Sequence, residues 1–179
     1  MTASFRISRR IAIDAGHRIM SHGSKCRHMH GHRYEVEAWC RAARLHDSGE
    51  QAGMILDFGF LKDEMLAVID AGCDHGFIAQ LTDTELLRMF SPEHTEFDAW
   101  MRVLVTEVRH SGYALTTDTR MQTKLYVMAD PPTAEGLALH WFRRLAPRVV
   151  DRSLGLATLE RVRVWETPNC WADHEAGKE

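Results

Sequence analysis

The residues most able to do chemistry lie together in Lys25-Cys26-Arg27-His28-Met29-His30-Gly31-His32. Side chains of an extended chain repeat every two residues, so His28, His30 and His32 can share one side, and imidazoles converging on one face suit Zn2+. A cluster of ordinary solvated histidines fits the same octet. His17 strengthens the metal reading. It closes Asp14-Ala15-Gly16-His17, and antiparallel pairing of the two segments would set its ring beside those of His30 and His32. Three imidazoles leave a fourth position open, the arrangement of a catalytic zinc. Neighbouring cations favour a thiolate, so Cys26, between Lys25 and Arg27, is a candidate base or nucleophile. Its plain alternative is a small buried hydrophobe, which suits Cys40 and Cys73 better. Asp74-His75 can serve proton transfer or simply a turn. Glu166-Thr167 ends an apolar stretch, where a carboxylate is ordinarily solvated.

These groups need elements to hold them. Phe5, Ile7, Ile11 and Ile13 alternate over residues 5–13, as do Tyr34, Val36, Ala38 and Cys40 over 34–40, and both segments read as half-buried strands. The stretch from Ala15 to Gly31 is too long for a tight turn and reads as a functional loop. Asp57 precedes Phe58, Leu61, Met65 and Ile69, whose spacing predicts a helix over 57–71. Strands are expected at 124–129 and 158–166. Pro132-Thr133-Ala134-Glu135 opens a helix that Pro147 should stop, giving 133–146. The pattern is α+β, with helices on one face of an antiparallel sheet. Residues 82–121 form an insertion. Within it Ser91-Pro92-Glu93 reads as a helix start, and Phe97, Trp100, Met101, Leu104, Val105 and Val108 as an amphipathic helix packed on the body or at a subunit contact, with a cap over the active site as the alternative.

Composition narrows the classes. The chain has 179 residues, 45% hydrophobic and 26% charged, with a net charge of −3 and scattered basic residues. That excludes extended disorder and argues against a nucleic-acid partner bound by phosphate neutralisation. No run approaches the ~20 apolar residues of a membrane helix, and no secretion signal follows the N-terminal arginines. No membrane association and a cytoplasmic location are the expectations. Length predicts one domain, 1–179, carrying the insertion at about 82–121.

Taken in order, the motifs resemble the 6-pyruvoyl-tetrahydropterin synthase / 6-carboxytetrahydropterin synthase family of the tunnelling-fold superfamily. The family's Ala-Ala-His is similar to Ala15-Gly16-His17, and its Cys-x-x-x-His-Gly-His to Cys26 through His32. Its Gly-x-(Ile/Val)-x-Asp-Phe resembles Gly53 to Phe58. Asp74-His75, Pro132-Thr133-Ala134-Glu135 and Glu166-Thr167 match its remaining motifs in sequence order. Gly16 stands where alanine is commoner, Ile13 where an aromatic is usual, and Gly76-Phe77-Ile78-Ala79 lacks the family's asparagine after Asp-His.

The resemblance implies a tunnelling fold, a four-stranded antiparallel sheet with two helices on one face, here with the added amphipathic helix. It implies Zn2+ on His17, His30 and His32, with His28 a bystander. Cys26 would be the catalytic base, with Asp74 and His75 relaying the proton. Glu166 would anchor a pterin, and Thr133 and Glu135 would line its pocket from a neighbouring subunit of a trimer-based hexamer. Three residues between Cys26 and His30-Gly31-His32 resemble the bacterial carboxytetrahydropterin synthases. The implied reaction takes 7,8-dihydroneopterin triphosphate to 6-carboxy-5,6,7,8-tetrahydropterin, acetaldehyde and triphosphate, a step toward 7-deazaguanines such as queuosine. The alternatives are a pyruvoyl-type paralogue acting on a related pterin and a zinc- or pterin-binding module without turnover. Cys26, Asp74 and His75 occurring together favour an enzyme.

Overall fold

The computed structural model describes residues 4–177. Its frame is the pairing of β1 (Phe5–His17) with β2 (His30–Ala42), antiparallel from Phe5↔Ala42 to His17↔His30. Both strands outrun the stretches that hydrophobic alternation marks, because beyond Ile13 and before Tyr34 the inward positions are taken by alanine and histidine. The extension is tight. A Cβ on Gly31 would lie 3.0 Å from the Ala15 carbonyl oxygen, so glycine there lets the two backbones close up. The loop between the strands shrinks to 18–29 and contains a 3-10 turn, Lys25–Arg27.

Helix α1 (Phe58–Met65) starts at Asp57, whose carboxylate accepts from the Gly59 and Phe60 N–H groups at 2.7 and 3.2 Å. It continues through a π turn, Leu66–Asp70, and a last turn, Ala71–Cys73. Then come β3 (Gly76–Gln80), α2 (Thr84–Phe90), α3 (Phe97–Ser111), β4 (Tyr113–Thr116) and β5 (Leu125–Met128). Helix α4 (Ala134–Arg152) and the hairpin of β6 (Thr158–Thr167) with β7 (Cys170–Glu175) complete the chain. No helix among the described residues is long and apolar enough to cross a membrane.

The antiparallel set is β1-β2-β6-β7, in which β7 is a strand the sequence patterning does not mark, and the whole sheet has seven strands in the order β4-β5-β3-β1-β2-β6-β7. The strand expected at 124–129 is β5, and it is not antiparallel to its inner neighbour: β3 joins β1 in parallel, β5 joins β3 in parallel, and β4 closes the edge antiparallel to β5. Helices α1 and α4 cover one face, burying Leu61, Met65, Trp141 and Leu145 against Ile13, Tyr34, Val36, Val162 and Val164.

Residues 82–121 pack on the other face. Along β3 and β5, Ile78, Tyr126 and Met128 point into the main core. The alternate residues Ala79, Leu125 and Val127 meet Trp100, Leu104 and Val108 of α3 in a second core. Ser91-Pro92-Glu93 does not start α3. Ser91 caps the end of α2, its N–H bonded to the Leu87 carbonyl, and α3 begins at Phe97. Pro147 does not stop α4 either. It sits on the exposed side, where the carbonyl it leaves unpaired can bond water, and Glu64 beyond it tethers Arg148 and Arg152 at 2.7 Å each.

Candidate metal centre and active site

At the open end of the β1-β2 pair, strand alternation sends His17, His30 and His32 to the same face as Tyr34. Each offers one ring nitrogen, and these nitrogens all lie within 4.8 Å of one another. Ring centroids are 4.5 Å apart for His17 and His30, 5.2 Å for His17 and His32, and 4.9 Å for His30 and His32. His28 is exposed and outside the cluster. It ends the 3-10 turn, and its carbonyl accepts from His30 Nδ1 at 2.8 Å.

That bond fixes the chemistry. A carbonyl only accepts, so Nδ1 of His30 carries the proton, as does Nδ1 of His17, which donates to the Pro132 carbonyl at 2.8 Å. In the neutral rings both Nε2 atoms are then bare lone pairs, facing each other at 3.1 Å. No hydrogen bond can join two acceptors, and His32 Nε2 is also buried without a partner. What is missing among these nitrogens is an electrophile, and a cation that takes imidazole ligands fits. Burial, with the neighbouring rings adding to it, lowers His17 to about 4, and burial lowers His32 as well, so both stay neutral as ligation requires.

Glu166 reaches the cluster from β6, where it follows Val162 and Val164 on the inner face. Its Oε1 lies 3.6 Å from His17 Nε2 and 3.7 Å from His32 Nε2. A negative oxygen at the mouth of the nitrogens suits a cation and equally an N–H-rich ring lying across it. Cys26 sits half-buried in the 3-10 turn above, held by the Ile19 N–H on its carbonyl at 2.8 Å. The Tyr34 hydroxyl, fully buried beneath the histidines, is pushed up by its burial and then by Glu166, Cys73 and Cys26.

Asp74 and His75 form a dyad elsewhere. His75 Nδ1 donates to Asp74 Oδ2 at 2.7 Å, and Asp74 Oδ1 accepts from the Asp14 N–H at 2.9 Å. The Asp14 N–H, His75 and Lys124 outweigh the effect of burial and hold Asp74 below the usual carboxylate range, while the bond to Asp74 raises His75. Among the described residues, no hydrogen bond or ion pair joins this dyad to Cys26 or to the three histidines. The His75 side chain is 79% exposed. Thr133 is occupied as the cap of α4, accepting from the Gly136 N–H at 3.1 Å, and Glu135 is exposed in the first turn.

Two features of the site were not readable as motifs. The Pro132 carbonyl that orients His17 is a backbone atom and leaves no mark in residue type. Arg18 and Asp83, which pair beside the loop, carry only a weak signal, an aspartate at a helix start.

Residues 6–177 match the family described as 6-pyruvoyl tetrahydropterin synthase. A 6-carboxy-5,6,7,8-tetrahydropterin synthase of Rickettsia bellii is 30% identical over 94% of this chain and 98% of its own. An uncharacterized protein of Wolinella succinogenes shares the fold with a TM-score of 0.71 at 20% identity, over 98% of this chain and 99% of its own. The 6-pyruvoyl tetrahydropterin synthase of Caenorhabditis elegans does so with a TM-score of 0.56 at 20% identity, over 98% of each chain.

Proposed function

The chain belongs to the 6-pyruvoyl tetrahydropterin synthase family, and from that premise we propose that it is a zinc-dependent 6-carboxy-5,6,7,8-tetrahydropterin synthase. It converts 7,8-dihydroneopterin triphosphate to 6-carboxytetrahydropterin, acetaldehyde and triphosphate, as a step toward 7-deazaguanines. The observation that carries this reading is the meeting of three buried or half-buried imidazole nitrogens, all within 4.8 Å of one another, beside one carboxylate. The names of the bacterial relatives support the choice of product.

His17, His30 and His32 hold the metal. When bound, Zn2+ acts as a Lewis acid that orients and acidifies the substrate's side-chain hydroxyls. Glu166 accepts from the ring N–H and amino groups of the pterin as a bidentate partner. Cys26 acts as base toward the side chain, and Asp74 with His75 relays the proton. Because no hydrogen bond or ion pair among the described residues joins the dyad to Cys26 and the His75 side chain is exposed, the relay comes from a neighbouring copy, as do Thr133 and Glu135. This calls for a homo-oligomer.

The test is incubation of the zinc-loaded protein with dihydroneopterin triphosphate and identification of the products. Carboxytetrahydropterin with stoichiometric acetaldehyde is expected. A pyruvoyl product, or none, would overturn the assignment.

A further inference from the structure

Residues 82–121 reach the two residues that flank His17, Arg18 directly through Asp83 and Gly16 through Phe77 of β3, which packs on Phe90. Side chains alternate along β1, so while His17 faces the metal pocket, Gly16 and Arg18 turn to the opposite side, where residues 82–121 pack. Arg18 Nε donates to Asp83 Oδ2 at 2.6 Å, and Nη2 completes the fork on Oδ1. The Asp83 side chain is only 3% exposed, and the same carboxylate caps α2 through the Leu86 N–H at 3.2 Å. One buried group thus binds the first residue of the loop to the first helix of the insertion. On the other flank, a Cβ on Gly16 would lie 2.7 Å from the Phe77 ring, which packs on Phe90 with centroids 5.2 Å apart. Gly16 is what allows Phe77 to lie under the strand.

The contact reaches Cys26 in two further steps. Ile19 follows Arg18 directly, and its N–H holds the Cys26 carbonyl at 2.8 Å. A cleft of about 130 Å3 separates loop and insertion, lined from one side by Arg18, Met20 and Arg27 and from the other by Thr82, Asp83 and Glu85. The loop has few other ties to the body, and fixing its base limits the positions its tip can take.

We propose that the insertion braces the active-site loop from behind, with Asp83, acting through Arg18, as a positioning residue for Cys26, and with the Gly16 and Phe77 contact as its second footing. This deepens the function proposed above, since it rests on Cys26 serving the reaction.

The test is the rate at which iodoacetamide modifies Cys26, followed by peptide mass spectrometry in a Cys170→Ser background without substrate. Cys40 and Cys73, both fully buried, report global opening in the same sample. Arg18→Ala and Asp83→Ala should each speed modification of Cys26 at least fivefold, the double variant no more than either, and Asp83→Glu should restore much of the protection. Gly16→Ala should act in the same direction, and Phe77→Leu added to it should relieve the crowding and slow the reaction again. Cys26 rates within twofold of the parent in Arg18→Ala and Gly16→Ala would overturn the brace. So would a parallel rise at Cys40 and Cys73, which would assign these residues to global stability. The readout needs no turnover, so a failed product assay leaves it standing and bears only on the function proposed above.

Discussion

His17 donates through Nδ1 to the Pro132 carbonyl at 2.8 Å, and this one bond decides which of its nitrogens is free. The carbonyl sits just ahead of α4, so the start of that helix orients a ring on β1 and turns the bare Nε2 toward His30 and His32. A second partner that fixes tautomer and orientation is what separates a metal site from three nearby histidines.

From that geometry, His30→Ala should lose more metal affinity than the ~10–100-fold that follows loss of a mere supporting partner. The measurement is zinc content after dialysis against a weak chelator, with Co2+ absorption reporting ligand geometry. Cys26→Ala should keep the metal and lose turnover. Equal zinc in His30→Ala and wild type would reject the ligand set.

The dyad makes a prediction independent of catalysis. His75 is raised by its bond to Asp74, so in an NMR pH titration it should titrate above the ordinary 6.5. Asp74→Asn removes the charge and should bring it back down. A titration unchanged by Asp74→Asn would mean that the bond does not persist in solution.

Acid stability should depend on a histidine outside the three-histidine cluster. His140 is buried in α4, with Nε2 taking the Tyr126 hydroxyl proton at 2.6 Å, and burial, then Arg144 and Arg143, lower it to about 4. A folded-state pKa below the ordinary 6.5 means that the unfolded chain binds the proton first as pH falls. The His140 contribution is therefore complete above about 6.5 and lost on the way down to 4, on the order of 3 kcal/mol in all. His140→Gln keeps an acceptor for Tyr126 and removes the titrating group. Its urea midpoint should fall less than that of wild type between pH 7 and about 4.5, and identical slopes would refute the assignment.

Asp57 lies in the Gly53–Phe58 stretch that resembles a family motif, yet its carboxylate is spent on the N–H groups of Gly59 and Phe60. Asp57→Ala should cost ~1 kcal/mol of unfolding free energy through the lost cap, with metal content unchanged. A loss of metal in that variant would show that α1 does more than support the core.

What residue order determined by itself was the local part. Alternation at Ile11, Ile13, Val36 and Ala38 announces two strands with a common buried face. A histidine at the end of one, with two more at alternate positions in the other, must share that face once the strands pair, because side-chain direction is a property of the extended backbone. Helix α1 was legible for the same reason, its cap and apolar spacing lying within one short window.

Only the tertiary structure decided the rest. Nothing local says that β3 and β5 insert in parallel beside β1, since parallel partners are distant in sequence and their pairing is settled by the whole sheet. The short strand β4 and helix α2 depend on the same packing. Pro147 does not stop α4 because its cost depends on whether the freed carbonyl meets water, which exposure alone settles. The separation of Asp74 and His75 from Cys26, and the Asp83 fork on Arg18, are relations between segments that meet only when the sheet is assembled.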